Sequence, residues 1–311
     1  MLLQDNLNIR PFTEAGQLSQ LSAWYEEGRK ILWVLLHGQP RPCFNPELIA
    51  DVANVMRAVS ASGLPIDFWV TGSSVDGIFN TGGDLSYFAQ HIRSGEHAAL
   101  QAYAHSCVNI LNDVMNGFGV EAITIAMIEG SALGGGYEAA LAHDYVFAQE
   151  GVKLGFPEIA FNLFPGMGAY SFAARKANMR VAEELISTGV AYPAEWHHEK
   201  GLVDRLFAQG DAYQNTRTFI DTLRPKLNGI RAMLRTRKRV MPVTLDELMA
   251  ITDDWARAAF KVEEKDLAYM DRLVMLQNRR AKPMAVPPAP RPVETTSEPL
   301  SEAPAKLAIV R

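Results

Sequence analysis

Cysteine is scarce. The 311 residues contain only Cys43 and Cys107, in no metal-ligand spacing, so the chain shows no disulfide framework, and both are expected as small buried residues in a reducing cytoplasm. Long apolar runs are missing too: no stretch approaches the roughly 18 residues needed to span a bilayer. The opening MLLQDNLNIRPF carries charge too early, and too short an apolar run, for a signal peptide. Nor is there a basic excess. The formal net charge of −5 argues against wholesale nucleic-acid binding while leaving a local basic patch open. What remains is an ordinary globular composition, 48% hydrophobic and 21% charged. It predicts a soluble, cytoplasmic protein of one large domain or two small ones.

Periodicity is weak over the first 28 residues, read as an N-terminal extension with a strand and then a short helix near QLSQLSAWYEEGRK. From Ile31 the pattern sharpens. ILWVLLHG is a short apolar run ending in glycine, as a buried strand requires. NPELIADVANVMRAVSAS follows, with Asn45 placed to cap a helix and Pro46 at its first position. IDFWVTG is the next buried strand, and strand–helix–strand with a long crossover predicts parallel pairing in an α/β fold. Helices are expected at about 84–93 and 96–118, strands at AITIAMIEG and HDYVFAQE, and an extended piece at VKLGFPEI. The remainder from about 167 to 281 is mainly helical, with one long segment from Leu245 to Arg280. After Lys282 the composition changes: residues 282–311 hold seven of the 17 prolines and no aromatic residue, which predicts a disordered tail. The expected division is an extension over 1–28, a core over 29–210, a C-terminal helical region over 211–281 and the tail.

Two carboxylates stand out, Glu138 behind GGG and Glu158 behind GFP. Each has apolar neighbours, and a desolvated carboxylate has its pKa raised into the range of a general acid or base. Taken singly, either is better read as an interior glutamate satisfied by backbone or basic partners. FNTGGD and ALGGG both set bare backbone between a strand and a helix start. Amides there suit a developing oxyanion, although glycine turns also arise for purely steric reasons.

FNTGGDL, then MIEGSALGGGYEAALAHDYVFA, then KLGFPEIAFNLFPGMGA resembles the crotonase (enoyl-CoA hydratase/isomerase) superfamily over about residues 30–240. The resemblance implies a crotonase fold, a spiral core of repeated ββα units with a C-terminal helical region. It places two oxyanion-hole amides on Gly83 and Gly135 and the two catalytic carboxylates on Glu138 and Glu158, with no metal or redox cofactor. FNTGGDLSYFAQHIR, FPGMGAYSFAARK and EWHHEKGLVDRLF are most similar to diffusible-signal-factor synthases of the RpfF type. That likeness implies a 3-hydroxyacyl substrate on acyl carrier protein or coenzyme A, dehydrated to a cis-2-enoyl thioester and hydrolysed to a free fatty acid signal. It also implies docking onto a sensor histidine kinase, and crotonases are commonly trimers or hexamers. An ordinary enoyl-CoA hydratase or isomerase shares every one of these residues and stays open, as does a protein acting mainly by binding the kinase.

Leu133, Met167 and Trp255 are candidates to line an acyl pocket, with ordinary core packing an equal explanation. Asp84 is expected to cap the next helix. RAMLRTRKRV, residues 231–240, puts five cations in ten positions; it suits an acidic partner or a phosphate, but a solvated helix face is the default. His197 and His198 in EWHHEKG have a catalytic look, yet no ligand pattern accompanies them and a structural role is expected.

Overall fold

A computed structural model describes residues 9–13 and 18–280 of the chain. The tail predicted over 282–311 lies outside the described residues. The chain opens with β1 (Ile9–Pro11), β2 (Leu21–Glu26) and β3 (Ile31–Leu36), then α1 (Pro46–Ser62). Three similar turns follow: β4 (Phe68–Ser73), β5 (Ile78–Asn80), α2 (Leu85–Arg93) and α3 (His97–Met115); β6 (Ile123–Ile128), β7 (Ser131–Leu133) and α4 (Gly135–Leu141); β8 (Tyr145–Gln149), β9 (Lys153–Gly155), a 3-10 turn at Pro157–Phe161, α5 (Ala169–Lys176) and α6 (Met179–Thr188). After them come β10 (Tyr192–Pro193), α7 (Ala194–Glu199), β11 (Arg205–Phe207), α8 (Ala212–Leu223), α9 (Leu227–Val240), α10 (Leu245–Ala259) and α11 (Glu264–Arg280).

In each turn the first strand joins a large sheet and the second joins a small one. The large sheet has the order β1-β2-β3-β4-β6-β8-β11, parallel from β3 onward, and the small sheet the order β10-β9-β7-β5. This is the crotonase spiral of ββα units with a helical C-terminal region. The repetition matters for function because it stacks equivalent strand-to-helix junctions side by side. Gly83, Gly135 and Glu158 each follow the small-sheet strand of a successive turn.

Local chemistry explains the better-predicted elements. The Asn45 side chain accepts from the Leu48 amide at 2.7 Å, Pro46 starts α1, and Gly63 ends it in the left-handed region at φ 61°. The strand β3 is apolar throughout because both faces are covered: Leu32, Val34 and Leu36 pack with α1 and α3, while Ile31 and Trp33 face α8 and α9.

Two expectations are corrected. QLSQLSAWYEEGRK contains the strand β2 and no helix; Leu21, Ala23 and Tyr25 alternate inward, and β2 pairs residue for residue with β3. The segment from Leu245 to Arg280 is two helices, broken between Ala259 and Glu264. There the Asp266 carboxylate accepts from the Glu263 amide at 2.9 Å and starts α11 afresh. Among the described residues no helix is long and apolar enough to cross a membrane.

Candidate active site

The three glycines of ALGGG answer to three different neighbours. A Cβ on Gly134, which sits at φ 52°, would fall 2.2 Å from Glu158 Oε1. One on Gly135 would fall 2.2 Å from the Met167 methyl, and one on Gly136 2.4 Å from the Asn80 carbonyl oxygen. Bare backbone here lets a carboxyl, a methionine and a neighbouring strand end crowd the first turn of α4.

Glu138, one turn into α4, is buried. Its Oε1 accepts from the Met167 amide at 2.8 Å and the Ala169 amide at 2.9 Å. Burial pushes its carboxyl up to about 7, and the two amides hold that rise in check. Glu158, on the 3-10 turn, is half-buried as a residue, but its Oε2 is sealed from solvent without a hydrogen-bond partner. Burial first, and the nearby Glu138 charge second, push it well above the usual carboxylate range. Two backbone amides stabilise the charge of Glu138, and no donor reaches the sealed oxygen of Glu158.

Gly83 is placed by a parallel bridge to Phe44, whose amide donates to the Gly82 carbonyl at 2.7 Å. On the other side of Gly83 the Asp84 amide donates to the Tyr103 hydroxyl at 3.4 Å, and among the described residues the Gly83 amide itself donates to no backbone carbonyl. Asp84 caps α2, as predicted, accepting from the Ser86 and Tyr87 amides, and Arg41 pairs with it at 2.8 Å. The Gly135 amide, first in α4, has no acceptor within its helix. The two glycine loops touch: a Cβ on Gly135 would lie 3.5 Å from the Gly83 nitrogen, and one on Gly82 3.0 Å from the Gly135 nitrogen.

Glu138, Glu158, Gly83, Gly134 and Gly135 face one cavity of about 190 Å³. Every predicted site residue lines it: Glu138, Glu158, Gly83, Gly135, Leu133, Met167 and Trp255. Phe88, Tyr103, Phe161, Tyr269 and Leu273 line it as well and were not singled out from the sequence. Their apolar spacing is that of any core helix, and only the packing of α2, α3 and α11 around Trp255 turns them towards a cavity. Trp255 meets Phe88 edge-on at 5.0 Å and lies over Gly166, where a Cβ would come within 2.3 Å of its ring.

The sequence profile of the enoyl-CoA hydratase/isomerase family matches residues 30–261. The chain belongs to that family. Within it, the chain is 34% identical to probable enoyl-CoA hydratase 2, mitochondrial, of Arabidopsis thaliana over 55% of this chain and 54% of that one. It is 29% identical to the fatty acid oxidation complex subunit alpha of Psychrobacter sp. (strain PRwf-1) over 66% of this chain and 27% of the relative. The chain thus spans about half, or less, of the length of these curated relatives. The solved structure of enoyl-CoA hydratase from Bacillus halodurans superposes with a TM-score of 0.69 over 82% of this chain and 100% of that one. At 18% identity it speaks for the fold alone.

Other residues flagged in the sequence of this hydratase/isomerase-family chain fall elsewhere. The basic run lies on α9 and does not line the cavity; Arg231 pairs with Asp67 at 2.8 Å and Lys238 with Asp144 at 3.0 Å. His198 contacts the Val203 carbonyl through Nδ1 at 2.8 Å. His197 is fully buried outside the cavity.

Proposed function

We propose that the chain adds water across, and removes it from, the Cα–Cβ bond of an acyl thioester. The observation that carries this reading is two carboxyls facing the same cavity as two adjacent glycine amides, Glu138 held by two backbone amides and Glu158 with an unpartnered oxygen. In hydration of a 2-enoyl thioester, ionised Glu138 takes a proton from water as its oxygen bonds to Cβ. Protonated Glu158 then delivers its proton to Cα, and the Gly83 and Gly135 amides hold the enolate-like thioester oxygen between the two steps. In dehydration the roles exchange: Glu158 removes the α-proton and Glu138 protonates the departing hydroxyl. Hydration starts with Glu138 ionised and the proton on Glu158, the arrangement that the two amides on Glu138 and the unpartnered oxygen of Glu158 favour. The test is loss of the conjugated enoyl-thioester absorbance on mixing purified protein with 2-enoyl-CoA. Glu138→Gln or Glu158→Gln is expected to slow it at least about 10²-fold; wild-type turnover in either variant removes that residue from the mechanism.

A second reading is the signal synthase, in which a 3-hydroxyacyl-ACP is dehydrated and its thioester then hydrolysed by a water held between the carboxyls. Enclosure of the cavity by the chain's own α10 and α11, through Trp255, Tyr269 and Leu273, favours a long apolar acyl group and supports this reading beside the sequence likeness. Matched 3-hydroxyacyl-ACP and 3-hydroxyacyl-CoA separate the two by mass spectrometry. Free cis-2-unsaturated acid speaks for the synthase, and an enoyl/hydroxyacyl thioester mixture alone for the hydratase.

A further inference from the structure

His197 lies on α7, buried beside α4, which carries Glu138, and β9, which leads into the turn that carries Glu158, and both of its ring nitrogens are engaged. Nε2 is 3.0 Å from the Leu154 carbonyl oxygen and Nδ1 is 2.8 Å from the Tyr137 hydroxyl. A carbonyl only accepts, so Nε2 carries the ring proton; Nδ1 is then bare and accepts from Tyr137. Burial lowers His197 to about 4, and burial raises the Tyr137 hydroxyl well above its ordinary value, with the Asp204 charge a lesser cause. Both groups are neutral across the range in which the glutamates titrate, and the direction of the chain Tyr137 to His197 to Leu154 does not change with pH there.

The two anchors are not arbitrary. Tyr137 is the residue immediately before Glu138 on α4, and its ring packs on Phe156 at 5.3 Å between centroids. Leu154 belongs to β9, from which the chain runs through Gly155, Phe156 and Pro157 directly to Glu158. The base of the α4–β9 junction is held by the β7–β9 ladder and by the Gly134 amide donating to the Gly155 carbonyl at 2.9 Å. His197 ties the same two elements together on the far side, through a side chain on α4. Glu158 Oε1 is trapped within this frame against Gly134.

We propose that His197 is a positioning residue: it joins the Tyr137 hydroxyl to the Leu154 carbonyl and so holds Glu138 and Glu158 at their working separation. The proposal rests on reading the glutamates as an acid–base pair. Repulsion between buried carboxyls varies inversely with their distance and is weakly screened, so a small slip of α4 against β9 changes how unequally they hold a proton. Besides each other, the titratable groups around the pair are Tyr103 and Tyr269, which line the same cavity, and the Cys107 thiol from α3; burial raises Tyr103 and pushes Cys107 up to about 12, keeping both neutral.

The test needs no substrate. Side-chain carboxyl shifts of glutamate-labelled protein are followed against pH by 13C NMR, assigned with Glu138→Gln and Glu158→Gln. In the wild type the two carboxyls are expected to titrate separately. Tyr137→Phe, which removes one hydroxyl and no volume, and His197→Leu are expected to bring the two titrations closer by at least about half a pH unit. His197→Gln, whose amide donates to Leu154 and accepts from Tyr137, is expected to restore the wild-type pattern. Hydration kcat is expected to fall about tenfold in the first two variants with KM little changed. Folded Tyr137→Phe protein with wild-type carboxyl titrations overturns the proposal, whatever His197→Leu does to folding. Titrations that respond in a protein without hydratase activity overturn the reaction assigned above and leave the positioning role standing.

Discussion

Glu138 and Glu158 are the same side chain in two surroundings, and the difference between them is what the proposed hydration uses. Glu138 has two backbone amides to stabilise its charge, whereas Glu158 has a sealed oxygen with no partner and a carboxylate for a neighbour. The Glu138 carboxyl is raised from 4.5 to about 7, so the native state binds this proton more tightly than the unfolded chain does. The associated stability is fully present below about pH 4.5 and is lost as pH rises through about 7. Glu138→Gln is therefore expected to melt higher than wild type at pH 8 and at nearly the same temperature at pH 4. An equal difference at both pH values, in thermal melts followed by circular dichroism, counts against the raised carboxyl. In the wild type, hydration kcat/KM is expected to fall as pH drops below about 7 and Glu138 takes up its proton.

The first turn of α4 shows how an element converts small residues into a site. Gly135 and Gly136 are adjacent, but a side chain at one meets the movable end of Met167 and at the other the fixed backbone of β5. Gly136→Ala is expected to destabilise the fold by about 1–3 kcal/mol, because the Asn80 carbonyl cannot step aside without disturbing the small sheet. Gly135→Ala is expected to fold normally, since Met167 can turn away, and to lose about 10²-fold in hydration as the oxyanion space narrows. Denaturant midpoints and turnover measured together check both. If Gly135→Ala unfolds while Gly136→Ala does not, the assignment of neighbours is wrong. The break between α10 and α11 belongs to the same scale. No proline or glycine marks it in the sequence; it depends on Asp266, which also accepts from Asn162 at 3.2 Å on the turn that carries Glu158.

For the whole molecule, the N-terminal hairpin and the C-terminal helices form one structure through Glu26. This buried carboxylate accepts from Trp33 Nε1 at 3.0 Å, Arg217 Nε at 3.0 Å and Arg29 Nη1 at 2.9 Å, joining β2, β3 and α8. Glu26→Ala leaves Arg217 buried without its carboxylate and is expected to cost about 3–5 kcal/mol. Asp221→Ala, which removes the exposed partner of Arg29, is expected to cost less than about 1 kcal/mol. Chemical denaturation of the two variants checks the contrast, and equal losses contradict it.

The sequence by itself determined the strands buried on both faces, the Asn45–Pro46 helix start, the cap at Asp84 and the two glycine turns. Each of these is a local matter: apolar runs, capping side chains and bare backbone are written in consecutive residues. The strand β2 was legible only in part, because its inward alternation of Leu21, Ala23 and Tyr25 reaches full meaning against β3. Tertiary structure alone decided how each carboxyl is surrounded, since that depends on amides from Met167 and Ala169 and on a neighbour twenty residues away. It alone decided that Phe88, Tyr103 and Leu273 enclose a cavity and that His197 spans α4 and β9. These properties depend on distance and burial, which arise between segments far apart along the chain and are absent from any one of them.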